Sequence, residues 1–232
     1  TFPKGHKYDD FRAGSQYLII KEGIKKMTQR ILHVLIAVLF LSYCAPQVET
    51  VSKPSLEPAS PHSLEIVTRA EWGWVPLTDT ILTHEIKYIT IHHGGEDFSE
   101  DKDVIKYLIG LQSWSRSDKN WIDNPYHYMI DLQGKIYEAR PIEYPGDTNT
   151  DYDVRGHALI CVMGNYEHQI LSKTQFEQLA LLTATLADKY GVSNDLIKSH
   201  KDYTETLCPG KDLYRYLEDG SLVKRVAELR KP

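Results

Sequence analysis

The sequence predicts a single α/β domain with a central mixed β-sheet flanked by helices. Three observations carry that expectation. Short apolar runs rich in β-branched and aromatic residues occur at 86–91, 158–163 and 196–199, with the length and composition of buried strands. Segments with apolar residues at helical spacing lie between and after them, the pattern of a sheet covered on its faces. Two of the runs lead directly into His92 and His200, and polar side chains at strand ends are where sites in such sheets gather.

Taken in order, the domain opens with Ile66-Val67 and a helix cap at Thr68, followed by Trp72, whose bulk suits packing against the core. The run 86–91 is a strand that ends in His92-His93-Gly94-Gly95, and the glycines let the backbone turn away there. Residues 103–114 place Val104, Leu108, Leu111 and Gln112 at helical spacing, with Ile105 and Tyr107 widening the stripe. A polar loop, 115–125, contains Trp121, which is either a stacking surface for a ligand or a core anchor. Residues 126–132 and 135–140 form a hairpin around Gln133-Gly134.

The stretch 141–156 is polar and without periodicity, and a loop of that length is functional or mobile. Residues 158–163 form a strand buried on both faces, with Cys161 at its centre as a small core residue. Ser172 and Gln175 make a capping box, Phe176, Leu179, Leu182, Thr183, Leu186 and Tyr190 recur at helical spacing, and Gly191 stops the helix. A short strand at 196–199 leads into His200, and 221–229 is a last amphipathic helix.

Ahead of the domain, residues 1–26 precede a start-like Met27 and read as upstream sequence foreign to the native protein. Residues 27–44 read as a signal peptide: Arg30 supplies the basic start and 31–40 an apolar core interrupted only by His33, shorter than the roughly 20 residues that span a bilayer. Its end, Leu41-Ser42-Tyr43-Cys44, resembles the lipobox of bacterial lipoproteins, with Tyr43 in place of the usual small residue. That resemblance implies a lipid anchor at Cys44 and, with Ala45 following, an exported, periplasm-facing outer-membrane lipoprotein. Residues 45–64 carry Pro46, Pro54, Pro58 and Pro61 and read as a linker, which leaves 65–232 as the folded domain.

The net charge of −5, with no basic run in the second half, excludes nucleic acid as a partner. The three cysteines, at 44, 161 and 208, show no regular spacing, which argues against a disulfide framework.

His200 and Cys208 are zinc-ligand types at the two ends of a polar, non-helical segment that closes with Pro209-Gly210. A catalytic zinc needs three protein donors and an open position, and His92 at its strand end is the best third. The His200 to Cys208 spacing matches no zinc-finger pattern, so the pair stands on residue type and loop character. His93 faces away from His92 if the strand continues, and His157 is a second-choice ligand, with lining the groove or capping the long loop as its favoured role. His84, His127 and His168 have no evident partner.

Five ordered segments then resemble one family. They are 66–73, Tyr88 to His93, Tyr126-His127-Tyr128 with 134–138, Val162 to Tyr166, and His200 with Thr206, Cys208, Pro209 and Gly210. Together they resemble the zinc-dependent N-acetylmuramoyl-L-alanine amidases of the phage-lysozyme type and their relatives, the peptidoglycan recognition proteins. The resemblance covers roughly residues 65 to 215 and implies the phage-lysozyme-type amidase fold. It also implies Zn2+ on His92, His200 and Cys208, and peptidoglycan or muropeptides as the substrate. Tyr126 matches the family's catalytic Tyr, and Thr206 stands where members carry Lys or Thr. Two departures stand out: Cys161 occupies the place of a Glu general base found in some bacterial amidases, and the family's His-Ala-Gly segment is absent. The rival function is a non-catalytic peptidoglycan-binding module. Non-enzymatic recognition proteins typically lack the Cys ligand, so Cys208 favours the enzyme, and a disulfide between Cys161 and Cys208 would reverse that judgement.

Overall fold

A computed structural model of the chain describes residues 64–77 and 82–230. The signal, the lipobox-like segment ending at Cys44, the extension before them and nearly all of the linker lie outside the described residues. A six-stranded mixed sheet organises the domain, with strands β1 (Ile66–Val67), β2 (Tyr88–His93), β3 (Tyr128–Ile130), β4 (Ile136–Glu138), β5 (His157–Val162) and β6 (Ile197–Ser199) in the order β1-β4-β3-β5-β2-β6. Only the β3–β4 pair, the hairpin, is antiparallel. Helices α1 (Val104–Ser117), α2 (Lys173–Tyr190), α3 (Lys211–Glu218) and α4 (Ser221–Leu229) cover it.

The period-2 alternation of strand side chains divides the core into two. Ile89 and Ile91 of β2, with Ala158, Ile160 and Val162 of β5, pack against Leu179, Leu182 and Leu186 of α2 and Leu222 and Val226 of α4. On the opposite face Met129, Tyr137 and Cys161 pack with Trp72, Phe98 and Leu108 of α1. All six residues of β5 are buried, the double-sided burial its apolar run required.

Local signals in the sequence account for several element ends. Ser172 Oγ accepts from Gln175 N at 3.1 Å while Gln175 Oε1 accepts from Ser172 N, and Gly191 closes α2 at φ +67°. Thr68 N and Oγ1 both donate to Glu71 at 2.7 Å, ordering a one-turn 3-10 helix, Arg69–Glu71, that seats the buried Trp72. Between β3 and β4, Asp131 accepts from the amides of Gln133 and Lys135, and Gly134 takes φ +82°.

Two expectations need correction, and one element was missed. Ile105 is not part of the inward stripe of α1: Leu108, Gln112 and Ser115 are buried, and Ile105 and Ile109 face solvent. The hairpin ladder is shorter than 126–132 and 135–140, although Arg140 N and Ala139 N still bond the carbonyls of Tyr126 and His127. Helix α3 was not anticipated: it is only eight residues long, and its apolar face is confined to buried Leu213 with the partly buried Tyr216 and Leu217.

Candidate functional site

Strand register brings the first two donors together. β2 and β6 run parallel with Ile91 opposite Ser199, so the next residue on each strand is a histidine, and the rings of His92 and His200 sit 4.6 Å apart. After β6 the chain makes one 3-10 turn, His200–Asp202, held by Asp202 Oδ2 accepting from Ser199 N and Oγ at 2.7 Å. It then loops back to Cys208. Gly210 lies at φ +86° against the backbone of Tyr166 and Glu167, where a Cβ would be 2.6 Å from Glu167 N. A side chain there would displace the loop that delivers Cys208.

The three ligand atoms of His92, His200 and Cys208 all lie within 4.8 Å of one another, and the residues are buried. His92 Nδ1 is 3.6 Å from Cys208 Sγ, close to the ~3.6 Å expected of a nitrogen and a sulfur on one tetrahedral zinc. His200 Nδ1 is buried without a hydrogen-bond partner. A lone pair left orphaned beside a thiol and a second imidazole is what a metal ion would satisfy. Burial lowers both histidines, His92 far below its ordinary range and His200 to about 4, so each offers a neutral nitrogen. Burial pushes the Cys208 thiol up to about 12, opposed by the bond it accepts from His93 N at 3.4 Å. Cys161 and Cys208 are both free.

Tyr126 is half-buried, its ring 5.3 Å from that of His92 and its hydroxyl 3.4 Å from the carbonyl of His93, to which it donates. Burial raises its phenol well above the ordinary value, which keeps it protonated at neutral pH. Thr206 Oγ1 accepts from Cys208 N at 3.2 Å, leaving its proton free to donate. Tyr126, Thr206 and the three donors line one groove of about 510 Å³, walled on one side by Trp114 and Trp121.

The facing wall is the segment 147–150, and its placement follows from a residue without a sequence signal. Arg140, at the end of the hairpin, is 1% exposed. It donates to the carbonyls of Asn124 at 2.7 Å, Asp123 at 2.9 Å and Pro145, and pairs with Asp147. One planar guanidinium therefore ties the loop carrying Trp121 to the loop carrying Thr148 and Thr150. Burial works against both charges of the Arg140–Asp147 pair, and the pairing opposes both shifts.

The same loop reaches the far edges of the histidines. Thr150 Oγ1 is 2.6 Å and Thr148 Oγ1 3.3 Å from His200 Nε2, and the Tyr152 hydroxyl is 3.3 Å from His92 Nε2. His157 is not part of the donor cluster. Its Nδ1 bonds Thr90 Oγ1 at 2.8 Å, and its ring packs on Tyr88, Tyr152 and Tyr203. His93 Nδ1 accepts from Tyr166 N at 3.2 Å and stands outside the cluster too. His84 and His127 fasten the long loop through the carbonyls of Ile142 and Tyr144, each at 2.9 Å. Thr150, Tyr152 and Arg140 were not foreseen as site residues. The available signal was the density of side-chain hydroxyls and carboxylates in a connection too long to be a simple turn.

Residues 82–211 match the family described as N-acetylmuramoyl-L-alanine amidase. Peptidoglycan recognition protein 1 of Mus musculus is 28% identical over 156 residues, 66% of this chain and 86% of that protein. The crystal structure of Drosophila peptidoglycan recognition protein SD superposes with a TM-score of 0.61 at 25% identity, covering 67% of this chain and 94% of that one. The N-acetylmuramoyl-L-alanine amidase LysC of Clostridium intestinale shares the fold, with a TM-score of 0.55 at 21% identity over 68% of this chain and 98% of its own. With a family match over more than half its length and two histidines and a cysteine gathered at one point, this chain belongs to the N-acetylmuramoyl-L-alanine amidase family.

Proposed function

We propose that this protein is a zinc-dependent hydrolase that cleaves the amide between the lactyl group of N-acetylmuramic acid and L-alanine of peptidoglycan or muropeptides. The observation that carries the reading is the convergence of His92, His200 and a free Cys208 on one side of an open groove. Zinc held there supplies a Lewis acid that polarises a carbonyl and brings the pKa of a water down to about 7.

The protein's own groups divide the remaining work. Thr206, with its hydroxyl proton uncommitted, donates to the oxygen that gains charge as the amide is attacked, a contact worth about 2.7–4 kcal/mol in comparable sites. Tyr126, kept protonated by burial, serves as a donor that orients the attacking water or the carbonyl. The His93 N–H supports negative charge on Cys208 Sγ. Trp114 and Trp121 offer apolar faces on which the sugar or stem of a muropeptide can lie.

A second reading, a non-catalytic peptidoglycan-binding module, is favoured by the name recognition protein on the mouse and Drosophila relatives. One experiment separates the two. The purified protein is analysed for metal and incubated with muropeptides, with and without chelator, and the products are read by mass spectrometry. Zinc near one equivalent and chelator-sensitive release of the stem peptide support the amidase, whereas binding without cleavage supports the module. Cys208→Ala is expected to lose both zinc and hydrolysis, and wild-type turnover in that variant would refute the site.

The sequence at 27–44 supports export with a lipid anchor at Cys44, placing the domain at the periplasmic face of the outer membrane. Labelled palmitate should enter the wild-type chain and not a Cys44→Ala variant; equal labelling of both removes this part of the proposal.

A further inference from the structure

We propose that Thr150 and Tyr152 are positioning residues of the metal centre, each taking the Nε2 edge of one ligand histidine so that both imidazoles keep an Nδ1 lone pair for the metal; the proposal rests on the zinc reading above.

A neutral imidazole has one N–H and one lone pair, and the bond made by one nitrogen decides what the other presents. At His200 the two edges differ sharply. Nε2 lies 2.6 Å from Thr150 Oγ1, while Nδ1 is buried with no partner. A proton on Nδ1 would be sealed in without an acceptor, a cost of about 1–3 kcal/mol. With the proton on Nε2, His200 donates to Thr150 Oγ1 and its Nδ1 keeps a lone pair that no protein group occupies. Thr148 Oγ1, 3.0 Å from Thr150 Oγ1, gives the Thr150 hydroxyl proton a place to go. At His92 the same division recurs, with Nδ1 3.6 Å from Cys208 Sγ and Nε2 3.3 Å from the Tyr152 oxygen.

Tyr152 is itself held. Its ring stacks on Tyr203 at 5.4 Å and an 11° interplanar angle, meets His157 edge-on at 5.5 Å, and lies 5.2 Å from His200. The loop that bears Thr150 and Tyr152 is pinned at both ends. Arg140 and His84 hold Asp147 and Ile142 at its start, and His84 Nδ1 accepts from Gly156 N at 2.7 Å at its finish. A segment without helix or strand thus meets both metal-ligand rings in a defined orientation, the arrangement by which outer partners raise metal affinity.

The test uses the full domain-bearing chain and zinc alone as probe. Zinc dissociation constants are measured by chelator competition for wild type, Thr150→Val, Thr150→Ser and Tyr152→Phe. The cobalt(II)-substituted spectra are recorded, and the metal-free unfolding midpoint of each variant is measured. Thr150→Val should weaken zinc about 10–100-fold, and Tyr152→Phe should fall at the lower end of that range because its contact is longer. Both should shift the cobalt ligand-field bands. Thr150→Ser, which keeps the hydroxyl, should stay near wild type in every readout. Wild-type affinity and spectra in Thr150→Val and Tyr152→Phe would overturn the proposal and leave the zinc reading standing. So would zinc loss that tracks a lowered metal-free midpoint and is not rescued by serine. A wild-type protein that retains no zinc would overturn both.

Discussion

Replacing Tyr126 by phenylalanine removes one hydroxyl and keeps the ring beside His92. That hydroxyl bonds the His93 carbonyl at 3.4 Å and the buried Cys161 side chain, and none of the three metal-type donors, so the variant should fold and bind zinc as wild type does. Turnover on muropeptides should drop by about 10²-fold, the lower range for loss of a positioned proton donor. Steady-state kinetics beside metal analysis check this, and unchanged turnover would take Tyr126 out of the chemistry. At this scale the convergence of His92, His200 and Cys208 was readable because chemistry restricts such residues: few side chains can bind zinc, and a histidine at a strand end followed by Gly-Gly is conspicuous. Thr150 and Tyr152 escaped notice because hydroxyl residues in a polar loop are ordinary, and only the fold shows which of them meets an imidazole. His157 illustrates the converse, a ligand type whose neighbours turn out to be Thr90 and three tyrosines.

Among elements, the parallel register of β2 with β6 brings His92 and His200 together, and the two loops clasped by Arg140 set the groove. Arg140→Met keeps much of the side-chain volume and removes every donor. It strands buried carbonyls of Asp123 and Asn124 and leaves Asp147 unpaired, so the domain should lose about 3 kcal/mol of stability. The groove walls should also loosen, raising KM for muropeptides more than it lowers kcat. Denaturant unfolding and kinetics report the two effects separately; a stability within 1 kcal/mol of wild type would show that the clasp is dispensable. The capping box at Ser172, the stop at Gly191 and the doubly buried β5 were legible because each rests on short-range chemistry. Arg140 was not, since the last residue of a predicted hairpin strand reads as solvated, and its partners lie on two different loops.

For the domain as a whole, the notable electrostatic feature is a set of histidines buried in neutral form. His127 is held down to about 3, chiefly by burial and further by the charge of Arg140, with its bond to Tyr144 working the other way. His157 is lowered to about 4, again chiefly by burial. Unfolded, both return to near 6.5. The unfolded chain therefore takes up protons first as the pH falls below 6.5, while the folded domain resists until about 4 for His157 and about 3 for His127. The stability these groups contribute is complete above 6.5 and is lost across that window, at up to roughly 1.4 kcal/mol per pH unit for each histidine. The metal-free protein should accordingly show a urea midpoint that falls steeply from pH 6.5 to 5 and is nearly flat from 7 to 8. His127→Gln keeps a donor for Tyr144 O and an acceptor for Leu159 N while removing the titration. Its stability should therefore decline below pH 6.5 by about one proton less than wild type. Matching slopes in the two proteins would mean that His127 is protonated in the folded state and that its burial does not set the acid limit of the domain.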